Sequence, residues 1–315
     1  MKGKFEILRL VEISRLYYEE GLTQAEIAEK FNISRPAVSK LLAEARIRGI
    51  VKIEIKSPLE SNEDLLQPLS HRFKLDGGLI VQTGTGDATL KHRLLISQAT
   101  QYIEKKLQES NNIGLGWGLE TGSILDEMKP RLQNGQSHGT VCPIIGSAPN
   151  DIKWYQTNEL ARIFSNKTGY APYYLPAPAF PMSTENKQLF EQTDEYQVVS
   201  SLWNKLDLVL LGIGTYPSVP DQATAARFGD KLRKEGAVGM MATYYYDYEG
   251  HFIESDNDIV IRIPLNLLKK TSVVLIIGSG LEKIQSIIGA LQTGLVTHLI
   301  TDEETALQII ESIAS

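Results

Sequence analysis

Six short runs of this chain are apolar throughout, and each leads into an amphipathic stretch. Residues 79–81, 113–115, 141–145, 208–213, 273–277 and 299–300 are the apolar runs. The stretches 90–107, 124–132, 154–164, 228–234, 281–291 and 303–313 follow them in turn, the fourth after a long loop. A strand apolar on both faces needs cover on both faces, and a helix after each strand supplies it. The pattern therefore predicts a Rossmann-like α/β domain with a mostly parallel sheet over residues 76–315.

Ligands of such sheets bind beyond the carboxyl ends of the strands, and three of those ends are rich in glycine. After the second run comes Gly114-Leu115-Gly116-Trp117-Gly118-Leu119-Glu120-Thr121-Gly122-Ser123; after the fourth, Gly212-Ile213-Gly214-Thr215; after the fifth, Gly278-Ser279-Gly280-Leu281-Glu282-Lys283. Glycine lets backbone amides approach an anion, the hydroxyls of Thr121 and Ser123 add donors, and the helix that follows turns its positive end to the same place. Lys283 falls where a helix dipole disfavours a cation, which a bound anion would offset. Gly116, Gly118, Glu120, Thr121, Gly122, Ser123, Gly212, Gly214, Thr215, Gly278 and Lys283 are thus candidate effector contacts. Read singly, each glycine-rich end is also an ordinary tight turn. The spacing fits neither the dinucleotide fingerprint nor the Walker loop, so no nucleotide cofactor is expected.

The first 57 residues have another grammar. Phe5, Leu8, Val11, Leu16 and their apolar neighbours recur at helical spacing as far as Gly21. Thr23 with Glu26 forms a capping-box signature, and Ser34 caps a third helix whose first turn tolerates Pro36. Ala28, Ile33, Val38, Leu41 and Leu42 stand where a helix-turn-helix needs a small residue, an apolar turn and an apolar inner face. In that register Arg35, Ser39 and Lys40 point outward toward base edges, with Thr23 and Gln24 near the phosphate backbone and Ser34 a further candidate DNA contact. Residues 50–56 alternate with strand period, suggesting a wing that offers Lys52 and Lys56 to phosphates. Residues 58–75 read as a linker helix interrupted by Pro68, whose apolar face could dock on the next domain or pair with a second chain.

Charge agrees with this division. The chain carries a net −6, but residues 1–57 hold 11 Lys and Arg against 8 Asp and Glu, leaving −9 for the rest. The lone cysteine, Cys142, excludes an internal disulfide and fits a reducing, cytoplasmic setting. No apolar span is long enough for a membrane, and the first residues lack the apolar core of a signal peptide. None of the five histidines lies near another in sequence, so a metal site has little support. The run 244–251, with four tyrosines, reads as a strand and hairpin turn that mostly serves packing.

The string TQAEIAEKFNISRPAVSKLLAEARIRGIV resembles the DNA-binding head of the SorC family of sugar-responsive bacterial regulators. The likeness rests on Gln24, Ile27-Ala28, Ile33-Ser34-Arg35, Val38-Ser39, Leu41-Leu42, Ala45-Arg46 and Gly49-Ile50-Val51. It continues through Gly116-Trp117-Gly118 with Thr121, Leu175-Pro176-Ala177-Pro178, residues 207–214, Ala237-Val238-Gly239, Gly278 with Lys283, and residues 299–303. The resemblance implies operator DNA as partner and a homo-oligomer, commonly a tetramer. It also implies an effector domain akin to sugar-phosphate isomerases and glucosamine-phosphate deaminase, with Pro176 near the effector and a phosphate between the first loop and Lys283. Two departures stand out. Met240 follows Gly239 where relatives usually carry an acid, and Glu120 lies in the loop expected to hold the phosphate. A sugar phosphate and an uncharged sugar or polyol both remain open as effector.

The rival reading is a sugar-phosphate isomerase or deaminase with a helical appendage. Proton transfer in such deaminases uses an Asp-Gly-His segment after the Gly-Ile-Gly strand end. Here Gly214 runs into Thr215-Tyr216-Pro217-Ser218 instead, which disfavours an enzyme.

Overall fold

The computed structural model describes residues 2–51, 61–84, 86–130, 139–217, 227–256 and 258–314, with side chains from residue 7 onward. The chain divides into two compact units, Met1–Pro58 and Leu59–Ser315.

The first unit holds three helices, α1 (Lys2–Tyr18), α2 (Gln24–Lys30) and α3 (Arg35–Ile47). Their core is Ile13, Leu16, Ile27, Ala28, Val38 and Leu42, with Tyr17, Leu22, Phe31, Ile33 and Leu41 packed round it. Both expected caps form. The Glu26 amide donates to Thr23 Oγ1 at 3.3 Å, the Thr23 amide donates to Glu26 Oε2 at 2.7 Å, and the Ala37 amide donates to Ser34 Oγ at 3.3 Å. Asn32, at φ 52, turns the chain between α2 and α3. The expected wing, with Lys52 and Lys56, lies from residue 52 outside the described residues.

The second unit opens with α4 (Glu63–Phe73), which carries Pro68 within it. Leu66, Leu69 and Phe73 on α4 join the main core of this unit, and Asn62 Nδ2 donates to Glu303 Oε1 at 2.9 Å. The apolar face of the linker helix thus docks on its own α/β unit.

Seven strands follow in a wholly parallel sheet: β1 (Gly77–Val81), β2 (Asn112–Leu115), β3 (Thr140–Pro143), β4 (Ala171–Pro172), β5 (Leu208–Gly212), β10 (Val273–Ile277) and β11 (His298–Asp302). The order across the sheet is β1-β11-β10-β5-β2-β3-β4. β3 and β4 therefore extend the sheet away from β2 on one side, while β10, β11 and β1 extend it away from β5 on the other. The winding reverses between β2 and β5, which pair directly, Gly114 beside Val209 and Leu115 beside Leu210.

Helices α5 (Ala88–Lys106) and α7 (Thr157–Thr168), with the later helices Ile284–Gln292 and Glu303–Ala314, largely coincide with the amphipathic stretches, while α6 (Leu119–Glu127) begins five residues before its expected stretch and overlaps only the start of it. Two others, α8 (Thr184–Glu191) and α9 (Asp194–Trp203), were not expected from the sequence. α8 buries none of its residues, so it leaves no apolar stripe to read. β4 and a small antiparallel sheet were also unforeseen. That sheet is β6 (Gly214–Thr215), β7 (Gly239–Met241), β8 (Tyr244–Tyr246) and β9 (Phe252–Ile253), and only its β8–β9 hairpin had been expected, from the tyrosine run. Cys142 is buried in β3, and burial pushes its thiol up to about 12, so it stays in the unreactive thiol form at neutral pH. No described helix is long and apolar enough to cross a membrane.

At the amino end of β11, His298 is buried against Gly77, where an added Cβ would come within 3.0 Å of its ring. Burial, helped by the charge of Lys106 and opposed by Asp76, pushes its imidazole down to about 4. The unfolded ring takes its proton near 6.5, so the unfolded chain binds more protons between these values and is favoured there. The contribution of His298 to stability is complete above about pH 6.5 and is lost as pH falls toward 4. Chemical denaturation across this range should show a declining midpoint in the wild type and a smaller decline in His298→Gln. An identical decline in both would assign the acid sensitivity to other groups.

Candidate effector cavity and DNA-facing helix

In the first unit Val38, Leu42 and Ala45 turn α3 inward. At 3.6 residues per turn, Ser39 lies about 40° and Lys40 about 140° round the helix from Arg35, with Pro36 and Ala43 between them. Arg35, Ser39 and Lys40 are all exposed. They border a face of low relief, which lets a helix come close to the floor of a groove. Exposed Arg46 and Ile47 continue this surface toward the carboxyl end; neither was among the expected contacts. The hydroxyls of Thr23 and Ser34 cap their helices, and Gln24 is half-buried at the start of α2. Lys52 lies outside the described residues.

In the second unit the reversal between β2 and β5 opens a cavity of about 230 Å³. Its lining is Trp117, Gly118, Leu119 and Glu120 from the loop after β2, Gly212, Ile213, Gly214 and Thr215 from the end of β5, with Tyr155, Met240, Ala242 and Lys283. Six expected contacts thus meet at one place: Gly118, Glu120, Gly212, Gly214, Thr215 and Lys283.

The glycines make this possible by letting two stretches of backbone touch. A Cβ on Gly212 would stand 3.1 Å from the Trp117 carbonyl oxygen and 3.6 Å from Gly118 Cα. Gly118, at φ 141, occupies the N-cap of α6 in a conformation that L side chains rarely adopt.

The other expected residues stand outside the lining. Gly116 packs on the Leu210 carbonyl, Thr121 is fully buried, Ser123 follows along α6, Pro176 is exposed, and Gly278 packs against Ile213 and Ile287. Gly122 has a packing role: a Cβ there would meet the Trp154 ring at 2.2 Å. Trp154 lies in the short 3-10 turn Lys153–Tyr155, its carbonyl accepts from the Gly118 amide at 3.0 Å, and the next residue is Tyr155. Gly122 therefore seats the turn that brings Tyr155 to the cavity. Sequence reasoning missed Tyr155, because nothing local marks a residue between β3 and α7 as part of a wall built by β2 and β5.

Among the described residues of the lining two side chains are charged, and they pair with each other. Lys283 Nζ donates to Glu120 Oε1, with side-chain exposures of 19% and 11%. Lys283 closes a short 3-10 turn, Leu281–Lys283, just before the helix Ile284–Gln292. The cation expected to await an external anion has found an internal one. Beside the pair stand the Thr215 hydroxyl, glycine backbone, and an apolar and aromatic part of the wall, where the Trp117 ring lies 5.8 Å from Tyr155 and 6.1 Å from Phe180.

A second cavity, of about 240 Å³, lies by the ends of β10 and β11 and is lined by Lys91, His92, Ser279, Gly280, Asp302, Glu304 and Thr305, among others. Its polar groups largely satisfy one another. Lys91 pairs with Glu304 at 2.8 Å, and Thr305 Oγ1 accepts from the Gly280 amide and donates to Asp302. Asp247, Glu249 and His251 cluster on the turn before β9. His251 already bonds Asp247 through both its amide and its ring.

A capped helix-turn-helix, joined in one chain to a doubly wound α/β unit with a cavity at its switch point, defines a ligand-responsive DNA-binding regulator. Known proteins agree. Residues 57–311 match the family model Sugar-bind, described as "Putative sugar-binding domain", and residues 12–48 match Sigma-70, region 4. The sorbitol operon regulator of Klebsiella pneumoniae is 27% identical, over 97% of this chain and 98% of its own length. The deoxyribonucleoside regulator of Bacillus subtilis is also 27% identical, over 96% and 97%. The full-length structure of the sorbitol operon regulator SorC from Klebsiella pneumoniae superposes with a TM-score of 0.74 at 26% identity, covering 96% of this chain and 98% of that one. The chain belongs to the sugar-binding-domain family and, with its helix-turn-helix, to the SorC family of transcriptional regulators, not to the enzymes of related fold.

Substituting Gly122 with Ala should destabilise the second unit by about 1–3 kcal/mol, because the added methyl must displace an indole packed in place. Denaturant unfolding followed by tryptophan fluorescence reads this, and an unchanged midpoint would refute the packing role of Gly122.

Proposed function

We propose that the chain binds operator DNA through α3 and regulates genes of carbohydrate metabolism, with a sugar or sugar phosphate in the β2/β5 cavity controlling operator affinity or assembly. The observation that carries this reading is the cavity itself. It lies at the strand reversal where open α/β sheets bind small molecules, in a chain whose other unit is built to enter a major groove. Arg35, Ser39 and Lys40 serve as the base-reading set, with Thr23, Gln24, Ser34 and Lys52 nearer the phosphates. Thr121, Gly122, Ser123, Gly116, Pro176 and Gly278 support the effector site through packing or from its margins.

We also infer that the working form is a homo-oligomer, a tetramer by analogy with the family, acting in the cytoplasm. One helix-turn-helix covers a half-site, and symmetric pairing gains affinity by bivalence. Ile7, Leu8 and Val11 are exposed along one side of α1, which leaves apolar surface for such pairing.

For an effector to change operator affinity a hundredfold, it must distinguish the two states of the protein by about 2.7 kcal/mol. Fluorescence anisotropy on an operator selected by the purified protein should show Arg35→Ala binding about 1–3 kcal/mol more weakly, with unaltered melting. Wild-type affinity in that variant would remove Arg35 from the base-reading set. A sugar bound at a hundred times its Kd should stabilise the folded chain by about 2.7 kcal/mol. Thermal-shift titration of sugars and their phosphates, repeated with operator present, tests effector binding and its coupling to DNA together.

A further inference from the structure

We propose that the effector of this chain is an uncharged polyhydroxy compound, a free sugar or alditol, and that Glu120 excludes phosphate esters by occupying the anion seat of the cavity. This rests on the sugar-sensing reading above and narrows it. Among the described lining residues a phosphate group would find one cation, Lys283, and that cation is already held by the Glu120 carboxylate. The positive end of α6 is likewise taken, since Glu120 sits in its first turn. A dianion would have to break the pair and leave a carboxylate, within a residue only 9% exposed, beside a second negative group. Like charges at short range in a partly desolvated site repel strongly.

An uncharged polyol meets the opposite situation. A carboxylate offers up to four acceptor positions to vicinal hydroxyls, and the lysine ammonium keeps protons beyond the one given to Glu120. The pair thus presents acceptors and donors side by side at no net charge. Trp117 and Tyr155 supply aromatic surface for the C–H face of a sugar ring or chain. Met240 leaves the neighbouring wall apolar, at a position from which an acid would add a further charge.

The test compares free compounds with their own phosphate esters on the full chain, by thermal shift and calorimetry. The probes are a panel of pentoses, hexoses and their alditols, each beside its monophosphate, together with inorganic phosphate and glycerol phosphate. We expect at least one free compound to raise the wild-type melting temperature and to bind at least about tenfold more tightly than its ester. Inorganic phosphate and glycerol phosphate should leave the wild type unmoved at millimolar concentration. Glu120→Gln keeps the shape of the side chain and frees the lysine, so it should gain a saturable phosphate response that the double variant Glu120→Gln/Lys283→Met lacks.

An ester that binds the wild type more tightly than its free sugar, with dependence on Lys283, overturns the proposal while leaving the sugar-sensing reading intact. Failure of every free compound and every ester to bind overturns that reading, and the proposal with it. A folded Glu120→Gln protein indifferent to phosphate overturns the anion-seat assignment. The comparison of free compound with ester needs no variant, so it decides the matter even if Glu120→Gln unfolds.

Discussion

The effector unit depends on the meeting of two backbones at the reversal of its sheet. β2 and β5 are neighbours, but the chain leaves them in opposite directions, so no crossover covers the gap between their carboxyl ends. What closes the floor of that gap is the close contact of Trp117 and Gly118 with Gly212, where a Cβ on Gly212 would crowd the Trp117 carbonyl at 3.1 Å and where Gly118 holds a positive φ that suits glycine. A side chain at Gly212 would press the two loops apart. Much of the site's chemistry starts beside this contact: α6 starts at Gly118 and carries Glu120, while Gly214 and Thr215 open the small antiparallel sheet that brings Met240.

The Glu120–Lys283 pair joins residues far apart in sequence across this gap. Buried ion pairs add little net stability, because desolvation offsets much of their attraction, and removing one partner strands the other. Such a pair is better understood as part of a recognition surface. It holds a donor and an acceptor in fixed relation, and it sets the charge a ligand must bring or lack. The DNA-binding unit works on another principle. Its helices are defined by caps between residues three apart and by a core of eleven neighbouring side chains, so its form follows from short-range chemistry.

That difference explains how much of the protein was legible beforehand. The Thr23–Glu26 box, the Ser34 cap and the burial of Val38 and Leu42 were all readable, because each is decided by residues within one or two turns of a helix. The six apolar runs likewise announced strands of a parallel sheet, since a strand covered on both faces has no use for alternation. β4, α8 and the strands β6 and β7 were not readable. They are too short or too lightly buried to leave a periodic signal, and tertiary neighbours determine them.

By itself the sequence determined the helix-turn-helix, the α/β class and the presence of three glycine-rich strand ends, since all are written in local spacing and capping. Strand order was left to the tertiary structure, and strand order decided which of those ends meet. The ends after β2 and β5 became the floor and walls of one cavity, while the third sent only Lys283 to it. Gly122 became a seat for Trp154, and Tyr155 entered the wall unannounced. The tertiary structure also gave Lys283 its anion. Helix polarity predicted that a negative group would stand there, but only the approach of α6 across the sheet reversal could show that the group is Glu120 of the chain itself.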